Sequence, residues 1–112
     1  MTKQEASERY SIPIWLLEEY ESWGLCQEGQ YGDSDLERLS MMMTLHDVGF
    51  TVHEVETYMR LLLEGDHTAQ QRMQMLNRRR HHALDEIHFK EAQLARLDYL
   101  RHNIKNTTNQ KS

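Results

Sequence analysis

The chain has 112 residues, 38% of them hydrophobic, which is enough apolar side chain for one modest core and too little for two. Its formal charge of −5 sets the molecule as a whole against non-specific polyanion binding, because that affinity comes mainly from phosphate neutralisation by Lys and Arg. A single cysteine, Cys26, excludes an intrachain disulfide framework and a thiolate metal cluster and fits a reducing compartment.

No run approaches the roughly 20 apolar residues that span a bilayer. The opening MTKQEASERY lacks the apolar segment of a signal peptide, so a cytoplasmic protein with no membrane partner is expected. Charge is unevenly placed. Residues 1–66 carry 4 basic and 14 acidic side chains, net −10, while residues 67–112 carry 9 basic and 4 acidic, net +5. Opposite halves could meet within a dimer or form two separate binding faces.

Residues 3–9 form a short polar segment compatible with a helix of about two turns that needs neighbours to hold it. Pro13 suits the first turn of a second helix over residues 13–22, since the amide proton it lacks would be unpaired there. Ile14, Leu17 and Tyr20 then share an inward face, with Trp15, Glu18, Glu19 and Ser22 turned elsewhere, and Gly24 supplies the stop. CQEGQYG, residues 26–32, reads as a turn or very short hairpin. Ser34 as cap and Glu37 three residues on predict a third helix, with Leu36, Leu39, Met42, Met43 and Leu45 at helical spacing up to Gly49.

Thr51 and Glu54 form a second capping box, and Phe50 stands before the cap, ready to staple onto Val55. The fourth helix continues through Tyr58, Met59 and Leu62. Gly65 and Asp66 interrupt it, and Asp66 or Thr68 is positioned to cap a last helix that runs at least to Arg101. Met73, Leu76, Leu84, Ile87, Leu94, Leu97 and Ile104 recur there at mostly three- and four-residue steps, with Arg80, Ala83 and Lys90 interrupting an ideal heptad. At about 1.5 Å per residue this helix exceeds about 50 Å, more than a small head can cover. Its stripe needs a partner: a second copy, another helix, or its own head. The division expected is a head over residues 1–66, a dimerisation helix over 67–105 and a flexible tail over 106–112.

The segment GDSDLERLSMMMTLHDVGFTVHEVETYM resembles the Asp-Leu-x-x-Leu helix, Gly-Phe-Thr/Ser turn and following helix of MerR-type transcriptional regulators, and LARLDYLRHNI resembles the end of their dimer helix. Tyr20, Glu21, Gly24 and Leu25 match the family's Tyr-Glu-x-x-Gly-Leu at the end of its recognition helix. The resemblance implies an all-α, mainly helical fold: a winged helix-turn-helix head followed by a long antiparallel coiled-coil helix. It also implies a homodimer that binds double-stranded DNA at a pseudo-palindromic promoter site and regulates transcription. The departures are local. Glu18-Glu19-Tyr20-Glu21 stands where the family has Arg-Tyr-Tyr-Glu, and the shortened wing puts Gly29 where its Gly-Tyr-Arg-x-Tyr motif has arginine, keeping Tyr31.

Candidate DNA contacts are Trp15, Tyr20 and Ser22 on the second helix, Gln27, Gln30 and Tyr31 around the turn, and His46 near the end of the third. The acidic first half motivates the alternative, a module that keeps the regulator fold but has weak or no DNA binding and binds a protein instead. Arg78-Arg79-Arg80-His81-His82 wraps around several helix faces, and its plainest reading is a solvated or salt-bridged stretch of stem. His81, His82 and His88 lack a ligand-set spacing, Cys26 has acidic neighbours that disfavour a thiolate, and no nucleophile–base arrangement or phosphate-binding glycine loop is present. No enzyme activity, metal or cofactor is expected.

Overall fold

The computed structural model describes residues 1–26 and 29–110, so Gln27, one of the expected DNA contacts, lies outside the described residues. Among the described residues five α-helices occur in order: α1 Lys3–Tyr10, α2 Ile14–Ser22, α3 Asp33–Asp47, α4 Val52–Glu64 and α5 Ala69–Gln110, with a 3-10 turn at Asp66–Thr68 before α5. Among the described residues the segment expected as a hairpin or wing contains no strand. The chain separates into two compact units, Met1–Met73 and Gln74–Ser112.

In the first unit consecutive helices pack on one another, α1 on α2, α2 on α3 and α3 on α4. The Thr2 hydroxyl starts α1 by accepting the Glu5 amide at 3.1 Å. Ser11 ends it in the left-handed conformation, φ 55° and ψ 40°, and the Ile12 amide returns to the Ser7 carbonyl at 3.2 Å. That reversal closes α1 within a three-residue turn, Ser11 to Pro13, and α2 begins at once.

The face of α2 is rotated from the one the three-residue spacing suggests. Leu16, Leu17 and Tyr20 are buried, whereas Ile14 is 40% exposed. Because α2 packs against both α1 and α3, its covered arc is wide and takes in Leu16, and its first turn projects beyond that cover. Gly24, at φ 76°, lets the backbone leave α2 by a turn that costs a residue with a Cβ more.

α3 starts one residue before Ser34, so its cap differs from the expected one. The Asp35 carboxylate accepts the Gly32 amide at 2.9 Å, giving half of a capping box, since glycine has no side chain to complete it. Ser34 and Glu37 are exposed. Leu39, Met42 and Leu45 are buried beneath α3, while Met43 is half-buried. The α4 cap has the expected pattern, with Thr51 Oγ1 accepting the Glu54 amide at 3.2 Å and the Glu54 carboxylate accepting the Thr51 amide at 3.0 Å. Phe50 and Val55 are both buried, and the Phe50 ring meets Tyr58 at 6.5 Å between centroids.

Thr68 joins α4 to α5 through its hydroxyl, not through an ordinary cap. It lies 2.6 Å from the Leu61 carbonyl and 2.8 Å from the Gly65 carbonyl, accepts Arg72 Nε at 3.1 Å, and is almost wholly buried. One small residue thus ties the end of α4 to the first turn of α5, its amide also donating to the Gly65 carbonyl at 3.1 Å. At the far end α5 continues past the expected boundary at 105, with the Thr107 and Thr108 hydroxyls each donating to a carbonyl four residues back at 2.9 Å.

Candidate nucleic-acid interface

The short Ser11–Pro13 turn sets α2 as the second helix of a helix-turn-helix, and two tyrosine clamps tie α2 to the turn and helix that come after it in the chain. In one clamp the fully buried Tyr20 donates its hydroxyl to Asp35 Oδ1 at 2.5 Å and accepts from Arg38 Nη1 at 3.2 Å. Burial, then the Asp35 carboxylate, pushes the Tyr20 phenol up to about 12. In the other clamp Tyr31 donates to the Glu21 carboxylate, which also pairs with Lys3 Nζ at 3.2 Å. Burial works to raise the Glu21 carboxyl, but the Tyr31 hydroxyl and Lys3 together hold it below its ordinary value. The Tyr31 phenol is raised by burial and by the same Glu21.

These clamps correct two of the expected contacts. Tyr20 and Tyr31 are buried with their hydroxyls committed, so they position the surface from behind instead of forming part of it. The clamps also engage two of the four basic side chains of residues 1–66. Of the remaining two, Arg60 pairs with Glu56 at 2.6 Å and Arg9 lies over the Tyr10 ring at 5.6 Å.

The outward side of α2 therefore carries a distinct chemistry. Trp15 is 51% exposed, Ile14 and Glu18 stand beside it in solvent, and none of the nine α2 residues is basic. Ser22 is exposed, but its hydroxyl donates to the Glu19 carbonyl at 2.5 Å. His46, half-buried near the end of α3, meets the Trp15 ring edge-on, with centroids 5.0 Å apart and planes at 76°. Its Nε2 is buried with no hydrogen-bond partner among the described residues. Gln30 is exposed beyond Gly29. Trp15 and His46 are thus brought together, with Ser22 on the same helix as Trp15; Ile14 is a surface residue that the sequence spacing assigned to the core.

On α5, Met73, Ile87, Leu94, Leu97 and Ile104 are each more than half exposed, whereas Leu76 and Leu84 are half-buried. Phe89, Tyr99 and Leu100 are as open as these, and the heptad-like count passes over them, although Leu100 lies three residues after Leu97 and four before Ile104. Their size and apolarity on an otherwise polar helix are the signal that finds them. Within the basic stretch Arg79 pairs with Glu86 at 3.3 Å and His81 with Asp85 at 3.8 Å, as a salt-bridged stem would have it.

Cys26 is half-buried, and its thiol is pushed up by burial and then by the nearby Asp35 and Glu21 charges, the opposite of a reactive thiolate. Among the described residues no group of three or more His, Cys, Asp or Glu side chains is placed to hold a metal ion, and no helix is long and apolar enough to cross a membrane.

A family model described as "MerR HTH family regulatory protein" matches residues 1–62. A solved structure from Listeria monocytogenes, described as that of a MerR family transcriptional regulator, superposes with a TM-score of 0.66 at 21% identity, covering 100% of this chain and 99% of its own. At that identity the likeness speaks for the fold, an all-α head with an elongated helix. Comparison with curated proteins finds no match.

Proposed function

The chain belongs to the MerR HTH family of regulatory proteins, and on that premise we propose that it is a transcriptional regulator that binds double-stranded promoter DNA as a homodimer. The observation that carries the reading is the α1–turn–α2 unit: a three-residue reversal delivers a second helix whose outer face, from Ile14 to Ser22, is left open while its inner face is locked by Tyr20 and Tyr31. A helix held in this way suits insertion into the major groove, and a two-fold dimer asks for a pseudo-palindromic site with half-sites spaced by the heads. The exposed apolar side chains of α5, from Met73 to Ile104, are the support for self-association, since a helix of that composition gains stability by covering its stripe. Trp15, Ser22 and Gln30 supply exposed side chains toward bases, and His46 stands behind Trp15.

Selection from a random duplex library at low salt, with footprinting of the selected site, tests this. A symmetric site and affinity that weakens with added salt are expected. Affinity no greater than that of an unrelated acidic protein sinks the reading.

One observation favours a second reading, a module that keeps the regulator fold and binds a basic protein. Each of the four basic residues of 1–66 is engaged by a carboxylate or ring of its own head, and α2 offers phosphates no cation. A stoichiometric protein partner recovered without DNA and rebound as two purified components supports it; clear DNA footprinting without any such partner removes it.

A further inference from the structure

A recognition face without cations has to obtain its sequence preference from something other than the guanidinium–guanine contact that dominates major-groove readout. Two facts narrow the choice. In helix-turn-helix docking the N-terminal residues of the second helix are the ones that meet base edges. In α2 these are Ile14 and Trp15, 40% and 51% exposed, and the next positions, Leu16 and Leu17, are apolar and buried. The major-groove feature that an apolar side chain recognises is the C5-methyl group of thymine.

We propose that Ile14 and Trp15 are specificity-determining residues that read thymine methyl groups, and that His46 is a positioning residue that sets the indole plane. The inference rests on the DNA-binding reading and goes beyond it by naming the base feature and the residues that read it. His46 is suited to the role by geometry. Its ring stands edge-on to the indole at 5.0 Å, it projects from α3, a helix packed against α2, and its buried Nε2 makes no hydrogen bond among the described residues that would assign it another task. An exposed tryptophan otherwise samples several rotamers, and an edge contact from a rigid neighbour restricts them. Glu18, one turn farther along the exposed side, repels phosphate and leaves apolar contact as the main source of discrimination at this end of the helix.

The test uses the full chain and the duplex it selects, resynthesised with deoxyuridine replacing each half-site thymine in turn, so that only a methyl group is lost. At one or two positions per half-site the wild type is expected to bind the deoxyuridine duplex about 3- to 10-fold more weakly, the scale of one buried methyl group or slightly more. Trp15→Ala is expected to bind thymine and deoxyuridine duplexes equally at one of those positions, with an unchanged melting temperature to show that the head is intact. Ile14→Ala narrows the ratio at the neighbouring position. His46→Ala narrows the Trp15-dependent ratio, and His46→Phe, which keeps a ring edge, restores it. Equal wild-type affinity for thymine and deoxyuridine at every position overturns the inference while leaving DNA binding in place, as does a Trp15→Ala protein that discriminates fully. A wild type that selects no duplex overturns the DNA-binding reading and this inference with it.

Discussion

Leucine has two different fates in this chain. In the head, Met1–Met73, Leu16, Leu17 and Leu39 are lost to solvent almost completely; on the stem beyond it, Leu94, Leu97 and Leu100 are each more than half exposed. The residue type and the helical conformation are the same in both, so neither propensity nor hydrophobicity separates them. What differs is whether the chain itself turns back to supply an opposing surface. Breaks at Ser11–Pro13, Gly24 and Gly49 bring each head helix back onto its neighbour, whereas α5 has no glycine or proline from Ala69 to Gln110. A stem of this kind gains burial only where another surface covers it, and if that surface is a second copy its stability becomes a matter of concentration.

The largest expected effect breaks the comparison most directly. Leu17→Ala removes a wholly buried side chain from the head and is expected to cost about 2–5 kcal/mol in urea unfolding. The same truncation at Leu97, measured where the chain is monomeric, is expected to change stability by less than about 0.5 kcal/mol. Equal losses at the two sites would mean that the stem is already covered.

Leu97→Asp sharpens the point from the other side. If a second copy covers α5, light scattering should show at least about a 100-fold weaker self-association, equivalent to about 2.7 kcal/mol, with the helical signal of the head retained. No change in mass at any concentration would remove the homodimer reading.

A smaller effect is expected at the α4 cap. Thr51→Ala deletes the oxygen that accepts the Glu54 amide and should lower head stability by about 1 kcal/mol, with no effect on self-association.

The smallest effect is a pH dependence confined to the head. The Glu21 carboxyl lies below its ordinary value of 4.5 when folded, so its contribution is fully present above about that pH and is lost as pH falls through the lowered folded value. The stability difference between wild type and Glu21→Gln should therefore shrink on acidification below pH 4.5. At the alkaline end the sign reverses for Tyr20. Its raised phenol favours folding below pH 10, and that contribution fades as pH rises toward about 12.

Much of the helical layout was legible because local chemistry enforces it. Thr51 and Glu54 cap α4 on contacts three residues apart, and Gly24 allows a backbone angle that other residues rarely adopt, so no distant information was needed. The α3 cap was harder, since Ser34–Glu37 and Gly32–Asp35 have the same spacing and only the actual start of the helix chooses between them. The candidate site was less legible still. Trp15 and Ser22 were found on the open side of α2, but Tyr20 and Tyr31, which share polar hydroxyls with surface residues, are buried because Asp35 and Glu21 accept those hydroxyls from positions 15 and 10 residues away.

The amino-acid sequence alone determined most of the helix ends, the contrast between an acidic first half and a basic second half, and the unbroken run of α5 as far as Arg101, all of which depend on neighbouring residues or on simple sums of charge. The tertiary structure decided that Ile14 faces solvent while Leu16 does not, that every cation of residues 1–66 is engaged within the head, and that His46 stands against Trp15. Those outcomes depend on which surfaces α1 and α3 bring to α2, and spacing along one helix carries no record of its neighbours.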